Sequence, residues 1–189
     1  MAQAVFLDRD GVITQEPPHY THKLSQLELI PKSADAIRLL NENGFVVVVA
    51  SNQSGIGRGY YREKDAILFN QAMKENLAKE SAYIDAIYYC PHHPEAEIER
   101  YRVDCNCRKP KPGMLLRAKE EMNIDLKQSF IVGDKLTDIE AGERAGCRTI
   151  LVRTGHGAEE LKSNQIECDY IADDLYEAVE HILYLSHNQ

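Results

Sequence analysis

Short apolar runs of strand length alternate along this chain with amphipathic segments of helical period. The runs Ala4 to Leu7, Phe45 to Ala50, Ala86 to Tyr89, Ser129 to Val132, Thr149 to Val152 and Tyr170 to Ala172 carry little polar alternation, as strands buried on both faces do. Between them the spacing predicts helices. Ser33 to Asn43 has Ser33 as its cap and Gly44 as its stop, and Arg62 to Lys79 aligns Phe69, Met73 and Leu77. Gly113 to Met122 aligns Leu115, Ala118 and Met122, and Asp174 to Leu185 aligns Leu175, Val179 and Ile182. Thr137 to Ala145 opens with a Thr137/Glu140 capping box. This alternation predicts an α/β fold, a Rossmann-like open and mostly parallel sheet with helices on both faces and ligands beyond the carboxyl ends of its strands.

The chain of 189 residues, 43% hydrophobic, is sized for one domain spanning 1–189. A formal charge of -8 opposes nucleic acid and anionic lipid, so neither nucleic acid nor membrane is an expected partner, and an anionic substrate must be held by local cations. No apolar run approaches the roughly 18 residues of a membrane span and no signal peptide is recognisable, which makes a cytoplasmic protein the expectation. No long exposed apolar face is evident, and a monomer is expected. The five cysteines, an odd number without an export signal, argue against a disulfide framework.

Polar residues that need explaining fall at the ends of the apolar runs. Asp8 and Asp10 stand two apart in Phe6-Leu7-Asp8-Arg9-Asp10-Gly11, so on a strand both carboxylates share a face. A solvated turn accounts for such a pair, and so does a metal-assisted nucleophile with an acid/base beside it. Ser51 follows the second run, Gly133-Asp134 the fourth, and Arg108-Lys109 precedes a helix. Taken singly, Lys109 also reads as an exposed lysine, Ser51 as a cap and Asp134 as a turn residue. Asp138, at a helix start, suits either a partner of the metal ligands or the helix dipole. Their convergence on one crevice is the stronger signal.

FLDRDG, VVVVASNQSG, CRKPKPG and IVGDKLTD occur in this order, and with them the chain resembles the haloacid dehalogenase superfamily of phosphohydrolases over essentially its whole length. The resemblance implies Asp8 as nucleophile, Asp10 as general acid/base, and Ser51 and Lys109 holding the phosphoryl group. It also implies Asp8, Asp10 and Asp134 on a catalytic Mg2+, with a backbone carbonyl in the ligand set. The chemistry asks for these residue types independently. A phosphate dianion meeting a carboxylate costs roughly 4 kcal/mol per unit-charge pair at about 4 Å for an effective dielectric near 20, so cations must offset it. Departures are small: Val12 stands where Thr is frequent, and Ser51 keeps the hydroxyl of the commoner Thr. The second acid favours a phosphatase over a dehalogenase, and the span from Asp10 to Ser51 is too short for a large cap domain.

Cys90-Pro91-His92 and Cys105-Asn106-Cys107 supply soft ligands for a closed Cys3His structural zinc site, although Cys-x-Cys is tighter than the usual spacing and free thiols or a redox pair fit it as well. The resemblance strengthens the zinc reading, since such a loop, here 90–107, marks a capless subgroup of these phosphatases. His93 is the rival imidazole. The segment from Pro91 to Asp104 is charged and poor in apolar residues, so zinc would fix it and the adjacent Arg108-Lys109. Cys147 and Cys168 read as small buried apolar residues.

Within that subgroup, Ser54-Gly55-Ile56-Gly57-Arg58-Gly59 and Cys90-Pro91-His92-His93-Pro94 resemble enzymes that remove the 7-phosphate of a heptose 1,7-bisphosphate. The glycines are read as a substrate-facing loop, and Glu16, His19, Tyr20, Asn52, Gln53, Ser54, Arg108 and Lys135 as contacts to a small phosphorylated sugar. Arg108 suits a distal phosphate, and Arg58 either does the same or is a surface arginine. Histidinol phosphate is the alternative substrate, for which Glu16 would offer an acidic wall. A catalytically inactive zinc-stabilised binding module is the alternative of a different class, opposed by the intact nucleophile, acid, hydroxyl and lysine. A DNA-end phosphatase is disfavoured by the acidic charge.

Overall fold

The computed structural model describes residues 1–16, 20, 22–163 and 165–188. Six strands, β1 (Ala4–Leu7), β2 (Val46–Asn52), β3 (Ala86–Cys90), β4 (Phe130–Gly133), β5 (Arg148–Val152) and β6 (Tyr170–Ala172), form a single sheet in the order β3-β2-β1-β4-β5-β6. Every pairing is parallel, with Phe6 opposite Val48 on one side and Ile131 on the other. Helices α1 (Ser33–Glu42), α2 (Ser54–Gly57), α3 (Glu63–Lys79), α4 (Gly113–Met122), α5 (Leu136–Ala145), α6 (Gly157–Ser163) and α7 (Leu175–His187) complete the alternation.

Strand pleating divides the core into two layers. Val5, Leu7, Val47, Val49 and Val132 face Ile37 and Leu40 of α1, Met73 and Leu77 of α3, and Val179 and Ile182 of α7. Ala4, Phe6, Val48, Ala50 and Ile131 face Leu115 and Ala118 of α4 on the other side. Buried side chains such as Phe69 and Met73 each contribute about 1.5–3 kcal/mol through the area they remove from water. Strand order reverses at β1, which lies between β2 and β4, so the helices following these strands leave on opposite faces and open a crevice at their carboxyl ends.

The strands lie within a residue or two of their expected bounds, and the differences are local. Lys32, at φ 64°, occupies the N-cap of α1, so Ser33 is the first helical residue and its hydroxyl is buried without a partner instead of capping. In α5 the cap belongs to Asp138, whose Oδ2 accepts from the Lys135 backbone N–H at 3.1 Å. Glu140, expected there, pairs instead with Arg144 one turn on, as i and i+4 side chains do. The short helices α2 and α6 were not foreseen. Between Asp10 and Ser51 the described residues hold a single-turn 3-10 helix, α1 and β2, with no insertion of cap size.

The segment from Pro91 to Asp104 also departs from expectation. Ala96 and Tyr101 are buried in a small apolar cluster with Ile56, Tyr61 and Ala66. These two buried side chains therefore anchor it to α2 and α3 in addition to the cysteines at its ends. Cys147 is buried as expected, while Cys168 is half-buried and donates its thiol to the Tyr170 carbonyl.

Candidate active site

β1 ends in Asp8, whose backbone N–H still belongs to the sheet through Val132 O. The chain turns immediately, and Gly11 takes φ +84°, a conformation that favours glycine. A Cβ at Gly11 would lie 2.3 Å from Asp134 Oδ2, so glycine is also what lets the turn approach that carboxylate. Lys109 enters from the loop before α4 and is buried, an unusual place for lysine. Its Nζ lies 3.1 Å from Asp8 Oδ1, close to Asp138 Oδ1, and donates to the Ala50 carbonyl. Burial alone would lower the ammonium's pKa, but Asp138 and Asp8 outweigh it and hold Lys109 above its ordinary value. Burial would likewise raise Asp8, yet Lys109 and Lys135 hold its carboxyl below the usual range and keep it ionised.

Asp8, Asp134 and Asp138 bring one carboxylate oxygen each within 4.8 Å of one another, and all three residues are buried. Asp134 accepts from the His156 backbone N–H through Oδ2, while its Oδ1 is buried without a hydrogen-bond partner. Burial, opposed by Lys135 and reinforced by Asp8 and Asp138, pushes Asp134 up to about 8. An orphaned, buried oxygen among three carboxylates is the donor set a hard divalent cation fits. Asp138 serves two partners at once, since one oxygen caps α5 and the other faces Lys109.

The side chain of Asp10 lies outside this trio. Arg9 Nε and Nη2 donate to its two oxygens at 3.1 and 2.8 Å, Thr14 Oγ1 lies 3.2 Å from Oδ1, and Gln53 Nε2 donates to Oδ2 at 3.2 Å. The Asp10 carboxylate is therefore engaged away from the three that converge. Gln53 also donates to Ser51 Oγ at 2.8 Å and accepts from Tyr61 Oη at 2.7 Å, which joins the expected acid to the expected phosphoryl-binding hydroxyl.

Asp8, Asp10, Ser51 and Lys109 open into one cleft of about 880 Å³. Glu16, Tyr20, Asn52, Gln53, Ser54, Arg108 and Lys135 also line it. His19 lies outside the described residues. Several of these side chains are already engaged: Lys135 Nζ contacts both oxygens of Glu16, Asn52 is bonded to the main chain of Lys109, and Arg108 Nη1 donates to His92 O. The glycine loop behaves differently from expectation. A Cβ at Gly57 would lie 2.8 Å from the Pro91 carbonyl oxygen, and Arg58 Nη2 lies 3.0 Å from His93 Nε2, so Gly57 and Arg58 pack on the cysteine loop and only Ser54 reaches the cleft wall.

Sequence reasoning passed over His22, Tyr60, Tyr61, Thr137 and His156, all on the cleft wall. Arg9, fully buried, was passed over as well. His22 stacks on Tyr61 at 4.9 Å, and His156 Nε2 lies 3.2 Å from Glu16. An arginine between two aspartates at a strand end was the available signal for Arg9; the aromatic wall carried none.

Cys90, His92, Cys105 and Cys107 converge with separations of 3.2 to 3.6 Å between their sulfurs and His92 Nδ1. Those are edges of a ligand tetrahedron with bonds of about 2.0–2.3 Å to its centre, which fits zinc. Hydrogen bonding with Cys90, against the effect of burial, lowers the Cys107 thiol to about 5, toward the thiolate a metal needs. His93 is excluded from the cluster by its contact with Arg58.

Residues 106–178 match the family model described as HAD-hydrolase-like. The chain is 46% identical over 156 residues to D-glycero-beta-D-manno-heptose-1,7-bisphosphate 7-phosphatase of Pasteurella multocida (strain Pm70), covering 82% of this chain and 84% of that one. It is 41% identical to D-glycero-alpha-D-manno-heptose-1,7-bisphosphate 7-phosphatase of Photorhabdus laumondii, covering 87% and 90%. The crystal structure of D,D-heptose 1,7-bisphosphate phosphatase from B. bronchiseptica, complexed with magnesium and phosphate, is similar at a TM-score of 0.87 and 33% identity, covering 97% of this chain and 99% of that one. With that architecture and those relatives, the chain belongs to the haloacid dehalogenase superfamily, in the family of the heptose-1,7-bisphosphate 7-phosphatases.

Proposed function

We propose that this chain hydrolyses the 7-phosphate of D-glycero-D-manno-heptose 1,7-bisphosphate through an aspartyl phosphate on Asp8. The observation that carries the chemistry is Asp8 itself: a buried carboxylate kept ionised by Lys109, at the floor of a cleft that also holds Ser51 and Asp10. The names of the relatives support the sugar.

Asp8 attacks phosphorus while the bond to the sugar oxygen breaks, and Asp10 gives that oxygen its proton. Ser51 and Lys109 hold the transferring oxygens. Asp10 then takes a proton from the water that attacks the phosphoryl group, which releases phosphate, returns Asp8 to its carboxylate and returns Asp10 to its protonated form. A magnesium ion held by Asp8, Asp134 and the Asp10 main chain, beside Asp138, would supply the positive charge that lets a phosphate dianion approach three carboxylates. Zinc on Cys90, His92, Cys105 and Cys107 would crosslink the loop that leads into Arg108 and Lys109. Arg108, on the cleft wall, suits the phosphate that is retained. Of the further contacts, Glu16, Tyr20, Asn52, Gln53, Ser54 and Lys135 shape the wall, while His19, expected as a contact from the sequence, lies outside the described residues.

Histidinol phosphate fits less well, because the Glu16 carboxylate that would face its amine is already shared by Lys135 and His156. The chain is proposed to work as a cytoplasmic monomer of one domain; no helix among the described residues is long and apolar enough to cross a membrane. The test is kcat/KM for phosphate release, with Mg2+, from the alpha and beta anomers of the heptose bisphosphate and from histidinol phosphate. A preference for either heptose of about tenfold or more, roughly 1.4 kcal/mol, supports the reading and names the anomer. A preference for histidinol phosphate overturns it.

A further inference from the structure

Arg9 is among the largest fully buried side chains of the molecule, and nothing in the reaction as derived employs it. Taking an arginine out of water is costly unless its charge and donors are met, so its surroundings show what it is kept for. Its guanidinium lies 4.6 Å from the centre of the Phe69 ring and reaches three elements. Nη1 donates to Asn70 Oδ1 on α3 at 3.0 Å, and Nη2 to Gln53 Oε1 after β2 at 3.1 Å. Nε and Nη2 grip the two oxygens of Asp10 as a fork. A fork of this kind fixes both the position and the plane of a carboxylate, which a point charge such as lysine does not.

We infer that Arg9 is a positioning residue for the proton-transfer step: braced by Asn70 and Phe69, it sets the plane in which the Asp10 carboxyl meets the leaving oxygen. The inference rests on the reading of Asp10 as general acid. In that step Asp8 forms the bond to phosphorus, the bond to the leaving oxygen breaks, and the proton passes from Asp10 to that oxygen. A misaligned acid slows this step most when the leaving group is an alkoxide, and least when it is a nitrophenolate that needs no proton.

The test compares kcat/KM, which reports phosphoryl transfer to Asp8, for the heptose bisphosphate and for p-nitrophenyl phosphate in Arg9→Lys, Arg9→Met, Asn70→Ala and, as reference, Asp10→Asn. We expect both Arg9 variants to lose about tenfold or more on the sugar phosphate and less than about threefold on the aryl phosphate, with KM little changed and Asn70→Ala following in the same direction. Equal losses on both substrates, or none, in variants whose melting shows them folded would overturn the inference. A selective loss in Asp10→Asn alone would overturn the role of Arg9 and leave the acid standing. No selectivity even in Asp10→Asn would overturn both. If Arg9→Met does not fold, Arg9→Lys and Asn70→Ala carry the same comparison.

Discussion

Asn52 and Lys109 exchange two hydrogen bonds across 57 positions of sequence: the Lys109 backbone N–H donates to Asn52 Oδ1 and Asn52 Nδ2 donates to the Lys109 carbonyl, each at 3.0 Å. A side chain at the end of β2 thus stands in for a strand neighbour and fixes the main chain of the lysine that faces the nucleophile. Asn52→Ala is expected to lower stability by about 1–3 kcal/mol, because the partners are part-buried, and to lower kcat by roughly tenfold or more as Nζ loses its aim. Urea unfolding and steady-state kinetics on the same preparation check both; a destabilised variant with unchanged kcat would separate the clamp from catalysis.

Asp8→Asn is expected to abolish turnover while the protein stays folded. Lys109 keeps Asp138 and the Ala50 carbonyl as partners, so the substitution does not strand a buried ammonium. Phosphate release at near-normal rate from a variant with native circular dichroism would remove Asp8 as the nucleophile.

Metal-free protein is expected to respond to magnesium more strongly as pH rises. Asp134 stands near 8 when folded against 3.8 for the ordinary group, so the folded state retains a proton that the unfolded chain has released. The stability this group contributes is full below about pH 4 and is lost as pH rises through about 8. Magnesium must displace that proton, so the rise in Tm it produces should grow between about pH 6 and 8. Melting curves with and without Mg2+ test this; a larger shift at the acidic end would contradict it.

Cys107→Ser, or stripping of zinc by a chelator, is expected to lower Tm and kcat together without unfolding the sheet. Ala96 and Tyr101 still hold the loop to Ile56 and Tyr61, so the loss should be graded and the loop more open to proteases first. Unchanged melting and turnover after complete metal removal would contradict a structural role for the site.

The sequence was most legible where one cause dominates. Parallel strands buried on both faces must be apolar throughout, so their runs stand out, and Asp8, Ser51 and Asp134 mark their ends. Reading was incomplete where two causes act on one residue. Asp138 both caps α5 and faces Lys109, and neither use alone explains its place. Arg9 was passed over, although carboxylates on either side already hinted at an internal pair. Gly57 read as a substrate contact because glycine permits close approach, but what approaches it is the Pro91 carbonyl, a contact made across the fold and silent in local pattern.

The position of β1 has a consequence for how the molecule breathes. β3 and β6 are the edges of the sheet and are only partly buried, whereas β1 lies at its centre with every residue covered and a partner on each side. Amide exchange should therefore proceed inward from the edges and reach the amide of Asp8, bonded to Val132, among the last. The loop that carries Arg108 grows from the edge strand β3 and the nucleophile from the protected centre. Excursions that loosen the grip on a particular sugar would thus leave the phosphoryl-transfer machinery assembled.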